Sequence, residues 1–142
     1  MKIFLGSDHA GYELKSYLIQ ELEKLGYNLI DKGPGTSESV DYPDFAHPVA
    51  NEVESNSDSL GLLICGSGNG ISMSANKHQG IRSAIAWNKE VAALARQHND
   101  ANILSLPARF VEKEEALTIV RAFLEAEFEG GRHQRRVSKI SI

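Results

Sequence analysis

The only cysteine in the chain, Cys65, ends an apolar run and heads a glycine-rich segment, "LLICGSGNGISM" over residues 62–73. A thiol there can serve as nucleophile, redox centre or proton acceptor. Gly66, Gly68 and Gly70 let backbone N–H groups turn toward an anion or oxyanion at the start of a helix. Ser7, Asp8 and His9 follow the first apolar run, and Ser67 adds a hydroxyl beside the cysteine. A carboxylate, an imidazole, a thiol and a hydroxyl form a set for proton transfer if the fold brings them to one crevice.

The glycines do not spell a nucleotide turn. Read as G-x-G-x-x-G, the last position falls on Ile71 from Gly66 and on Met73 from Gly68, and no lysine stands where a Walker A loop needs one. A redox couple is disfavoured because no second cysteine can resolve it. Cys65 also reads as a small apolar residue closing a buried strand. The helix start that follows, which favours a thiolate, and the nearness of Asp8 and His9 argue for the functional reading. Taken alone, Asp8 is equally a cap or turn residue and His9 a satisfied edge histidine.

A second, cationic set lies toward the end of the chain. Arg132 and Arg136 are spaced to share one helix face, and with His133 they suit a phosphate group, although a charge run is ordinarily a solvated face. Arg109, just past the last apolar run, adds a third guanidinium at the carboxyl end of the sheet. His98 in "RQHNDAN" closes a helix before the last strand, which puts it at the amino end, away from its own crevice. It is there either a helix C-terminal cation, worth about 0.3–1 kcal/mol, or a residue delivered to a second subunit's site. His47 and His78 read as structural or solvated, and His133 is ambiguous.

The elements that must position these groups alternate. Strands are predicted over 2–6, 27–31, 59–65, 82–87 and 102–107 from short apolar runs bounded by glycine or polar residues. Helices are predicted over 12–25, with Leu14, Leu18, Leu22 and Leu25 inward and Gly26 as the C′ residue, and over 44–54, with Ala46, Val49, Ala50 and Val53 inward. Pro48 is placed in about the first turn of the latter, where its missing N–H costs least. Further helices run from the glycine loop to about Lys77, over 88–98, and over 112–126 with Ala116, Leu117, Val120, Phe123 and Leu124 inward. A basic amphipathic tail follows Gly130 and Gly131. This pattern predicts one α/β domain over 1–142, a five-stranded parallel sheet with helices on both faces. If the sheet begins 2-1-3, its ligand crevice lies between the carboxyl ends of strands 1 and 3, which sets Asp8 and His9 beside Cys65.

Composition narrows the class. A formal net charge of −4 argues against nucleic-acid or anionic-membrane partners, and 42% hydrophobic with 24% charged residues is ordinary for a globular chain. The start "MKIFLGSDHAG" is too short for a signal-peptide core, and no apolar run approaches a membrane span. A cytoplasmic enzyme or binding protein is expected.

The set "GSDHAG", "DKG", "DYPD", "LLICGSGNGISMSANK", "GIR", "RQHNDAN" and "EGGRHQRR", in order along the whole chain, closely resembles the type B ribose-5-phosphate isomerases and their galactose-6-phosphate and allose-6-phosphate relatives. The resemblance implies a Rossmann-like α/β/α sandwich. The activity it implies is an aldose–ketose isomerase acting on ribose 5-phosphate and ribulose 5-phosphate without metal or organic cofactor. It further implies a homodimer or dimer of dimers with sites shared between subunits. By position, Cys65 matches the base that moves the proton between C2 and C1, and Ser67 a hydroxyl near the enediolate. The amides of Gly66, Ser67, Gly68, Asn69 and Gly70 match its oxyanion donors. His98 matches the residue assisting furanose ring opening, and Asp8 and His9 match contacts to the sugar. Asn99, Arg109, Arg132 and Arg136 match further substrate contacts, the arginines at the phosphate, and Tyr42 a tyrosine lining the sugar pocket. Some relatives lack this cysteine and use a carboxylate elsewhere; Cys65 places the chain with the cysteine type. A hexose-phosphate isomerase and a non-catalytic phosphosugar or nucleotide sensor are the alternatives.

Overall fold

The computed structural model describes residues 1–142. Five strands, β1 (Lys2–Ser7), β2 (Asn28–Asp31), β3 (Ser59–Cys65), β4 (Ser83–Ile85) and β5 (Ile103–Pro107), form one sheet in the order β2-β1-β3-β5-β4. Every pairing is parallel, with Ser7 opposite Ile64 and Cys65 opposite Pro107 at the carboxyl end. β3 is central and all seven of its residues are buried, which explains its unbroken apolar run. The strand order reverses at β1, with β2 on one side and β3 on the other, so the crevice expected of a doubly wound sheet opens between β1 and β3.

Five helices cover the sheet, α1 (Tyr12–Lys24), α2 (Pro43–Ser55), α3 (Asn69–Ala75), α4 (Lys89–Asn99) and α5 (Lys113–Glu125), and a sixth, α6 (Arg132–Val137), buries no residue of its own. The two-residue alternation of β3 divides the core. Leu60, Leu62 and Ile64 join Leu14, Leu18 and Leu22 of α1 and the inner faces of α4 and α5. Leu63 and Cys65 join Ala46, Val49, Ala50 and Val53 of α2 and Ile71 and Ala75 of α3. Each fully buried leucine contributes about 1.5–3 kcal/mol. The result is the three-layer α/β/α sandwich predicted, and no helix is long and apolar enough to cross a membrane.

Local departures have physical causes. α2 starts at Pro43, so Pro43 and not Pro48 occupies the favourable first turn, and Pro48 lies in the helix interior. Leu25 is half exposed because α1 ends at Lys24 and the chain reverses through Gly26 at φ +90°. Near the other end of α1, Lys15 is fully buried beside Leu14 and Leu18. On α5, Ile119 joins Ala116, Val120 and Phe123 inside, while Leu117 and Leu124 are only partly buried. α3 ends at Ala75, short of Lys77, and edge strand β4 is only three residues long. The Asn76 side chain accepts from Ser83 N–H at 2.8 Å and donates to Ser83 O at 3.0 Å, occupying polar groups at the strand's outer edge.

Candidate active site

Main-chain bonds lock the β1 turn to β3 and β3 to the end of β5. Asp8 N–H donates to Ile64 O at 3.1 Å, immediately before Cys65. The buried Asp8 carboxylate accepts Gly11 N–H at 3.0 Å, closing the turn into α1. Gly11 is needed for closeness and not for its dihedral angles, because a Cβ there would lie 2.5 Å from Ile64 O. On the other side, Ala108 N–H donates to Cys65 O at 2.8 Å and Arg109 N–H to Gly66 O at 3.0 Å. The glycine segment is therefore held from both flanks.

Within that frame the Cys65 thiol faces its own loop. Gly68 N–H donates to Sγ at 3.2 Å, from a residue at φ +78° that glycine adopts without strain. The donor is set against the charge a thiolate would carry. Asn69 N–H donates to Ser67 Oγ at 3.3 Å, which leaves the exposed Ser67 hydroxyl its own proton to donate outward. The Arg109 guanidinium lies across Gly66, where a Cβ would meet Nη1 at 3.0 Å. The Tyr42 ring covers Gly70, where a Cβ would fall 2.5 Å from Cζ. His9 Nδ1 sits 3.3 Å from both the N and the O of Val40, tying the β1 turn to the segment that carries Tyr42. Asp8, His9, Tyr42, Arg109 and residues 65–70 thus share the carboxyl end of the sheet.

His98, Asn99, Arg132 and Arg136 do not join them within one chain. α4 runs back against the strand direction, so its last residues precede Ile103 at the amino end. β5 alone separates the two ends by roughly 13 Å. There the His98 and His133 rings stack at 4.1 Å with planes 11° apart, docking α6 on α4. Burial pushes the His133 imidazole below the usual histidine range, and the neighbouring His98 and Arg132 push the same way. Arg132 and Arg136 stand exposed on α6. Asn99 lines a cavity of about 570 Å³ with Arg82, His78 and Ile140, also at this end.

A family model described as Ribose/Galactose Isomerase matches residues 3–140. The chain belongs to this family. A Mycoplasma pneumoniae protein named probable ribose-5-phosphate isomerase B is 51% identical over 139 residues, covering 97% of this chain and 91% of the relative. The solved ribose-5-phosphate isomerase B of Clostridium thermocellum superposes with a TM-score of 0.96 at 53% identity, covering 99% of this chain and 95% of that one. The Mycoplasma genitalium enzyme, solved with bound ribulose-5-phosphate, superposes at 0.94 with 50% identity over 98% of this chain and 93% of its own.

Three residues of this isomerase-family chain escaped the sequence reading. Lys15 donates to Asp31 Oδ1 at 2.6 Å and to Pro34 O at 2.7 Å, fixing the start of the loop that carries Val40 and Tyr42. Its signal was a lysine next to Leu14 on an apolar face, which also fits a solvated edge. Val40 meets His9 through its peptide, which no side-chain pattern encodes. Glu129, before the Gly130–Gly131 break, lies against both stacked histidines.

Proposed function

We propose that the chain interconverts ribose 5-phosphate and ribulose 5-phosphate by proton transfer through an enediolate. The observation that supports this best is the Cys65 thiol with Gly68 N–H on its sulfur, at the crevice between β1 and β3, in a chain of this family. The Cys65 thiolate takes the C2 proton of the open-chain aldose, the C–H electron pair becomes the C1=C2 bond, and the carbonyl pair moves to O1. A proton passes from O2–H to O1, and returning the proton taken from C2 to C1 as C2=O2 forms gives the ketose. The Ser67 hydroxyl and the loop amides other than those of Gly68 and Asn69, which are held by Cys65 Sγ and Ser67 Oγ, face the developing oxyanion, where one preorganised donor is worth roughly 2.7–4 kcal/mol. Asp8, His9 and Tyr42 hold the sugar, and Arg109 faces the substrate from the turn that follows β5.

His98, Asn99, Arg132 and Arg136 serve a second subunit's crevice in this reading, His98 at ring opening and the arginines at the phosphate. Their position at the amino end is what calls for a homodimer with shared sites. The purified protein should form ribulose 5-phosphate from ribose 5-phosphate in EDTA, and Cys65→Ala should lose at least about 100-fold. Full turnover by Cys65→Ala removes that residue from the mechanism. Co-expressed Cys65→Ala and His98→Asn chains should recover about a quarter of wild-type turnover, since random pairing makes half the dimers mixed, each with one intact site. No recovery refutes site sharing. Comparing kcat/KM for ribose, allose and galactose phosphates fixes the sugar.

A further inference from the structure

Beside His98, at the amino end of the sheet, Glu129 has no role in the reaction described above. Its own N–H donates to Gln97 O at 3.0 Å, pinning it to the last turn of α4 next to His98. Gly130 and Gly131 follow at φ +65° and +55°, turning the chain so that α6 starts at Arg132 and brings His133 back over His98. Glu129 Oε1 then lies 3.7 Å from His98 Nε2 and 3.8 Å from His133 Nε2. Two imidazoles and a carboxylate could suggest a metal site. The ring planes are only 11° from parallel, however, so their in-plane lone pairs run side by side and do not converge on one point. That arrangement suits a carboxylate that orients an imidazole.

We propose that Glu129 is a positioning residue for ring opening, holding His98 with its Nε2–H edge toward the carboxylate and its Nδ1 lone pair outward. The inference rests on the ring-opening role given to His98 above. In that step Nδ1 takes the proton of the sugar's O1–H while C1=O1 forms. The C1–O4 bond breaks with its electron pair going to O4, which takes a proton from water. A separation of 3.7 Å is an ion-pair distance, and catalytic contacts of this kind commonly shorten when substrate binds.

Ribulose 5-phosphate has its C5 oxygen esterified and cannot close a furanose ring, so solvent-deuterium wash-in at its C1 needs Cys65 but no ring opening. This separates the two functions within one protein. Glu129→Gln keeps the size of the side chain and should lower turnover of ribose 5-phosphate at least about tenfold while leaving wash-in within about twofold of wild type. Glu129→Asp should recover part of the turnover, and ring ¹⁵N spectra should show the His98 tautomer fixed in wild type and mixed in Glu129→Gln. Unchanged turnover overturns the proposal. An equal loss of turnover and wash-in overturns it too, because Glu129 would then support the site as a whole. Wild-type protein showing neither turnover nor wash-in would instead sink the isomerase reading itself.

Discussion

Gly11→Ala tests how tightly the β1 turn must sit against β3. Gly11 has φ −96° and ψ −2°, a negative-φ turn conformation open to alanine, so no left-handed backbone demands glycine there. Space does: the added methyl would lie 2.5 Å from Ile64 O, 2.7 Å from its Cγ2 and 2.8 Å from its carbonyl carbon. Two of these are backbone atoms of the central strand, which cannot swing away as a side chain would. Restoring an ordinary contact of 3.4 Å or more requires the turn and β3 to part by most of an ångström. That movement strains Asp8 N–H to Ile64 O, the bond that sets Asp8 beside Cys65. Overpacking of this kind costs about 1–3 kcal/mol of stability. A misplacement near 1 Å in a catalytic set costs about 100-fold in rate. Denaturant unfolding should show the stability loss, and a ribulose 5-phosphate assay should show a fall in kcat/KM well beyond the change in folded fraction. A variant with wild-type stability and wild-type kcat/KM would refute the claim that this contact spaces the site.

Gly70→Ala meets a different neighbour, the half-exposed Tyr42 ring, which can rotate off. Its stability should change by less than about 1 kcal/mol, while kcat/KM falls around tenfold if Tyr42 lines the sugar pocket; thermal melts and steady-state kinetics read the two. Lys15→Met removes a buried cation and leaves Pro34 O without its donor, at about 1–3 kcal/mol, since the more exposed Asp31 is resolvated by water. Denaturant titration checks this, and a loss under about 0.5 kcal/mol would show that Lys15 does not anchor the loop. The depressed pKa of His133, faced by His98, Glu129, Arg132 and Arg136, means the folded state binds fewer protons there. Stability from this residue is therefore fully present above the unfolded histidine value near 6.5 and is lost as pH falls from there through the lower folded value. His133→Gln should flatten the loss of stability that sets in as pH falls below about 6.5, measured as unfolding free energy against pH.

What the sequence reveals depends on how far apart the interacting groups lie. The apolar run over 59–65 identifies β3 directly, because a strand covered on both faces needs no alternation, and its chain position between two helices makes the sheet parallel. Cys65, the glycines after it, and Asp8 with His9 are legible for the same reason, since each group sits where a strand ends and topology does the rest. Leu25 misleads because helical spacing from Leu22 carries one residue past Lys24, where the helix ends ahead of the turn at Gly26. Pro48 misleads because Pro43, five residues earlier, fills the first turn that either proline could occupy. Lys15 is illegible for a deeper reason. Its charge is satisfied by Asp31 and Pro34 O, partners separated from it by 16 and 19 residues, so nothing local distinguishes it from a solvated lysine. Glu129 combines both difficulties, as its contacts are to a histidine 31 positions earlier and to another brought back only by two left-handed glycines. The cationic tail was therefore readable as chemistry but not as geometry. Its arginines announce a phosphate by composition, yet the stack of His98 on His133 is what fixes where those arginines stand, at the end of the sheet farthest from the thiol in the same chain.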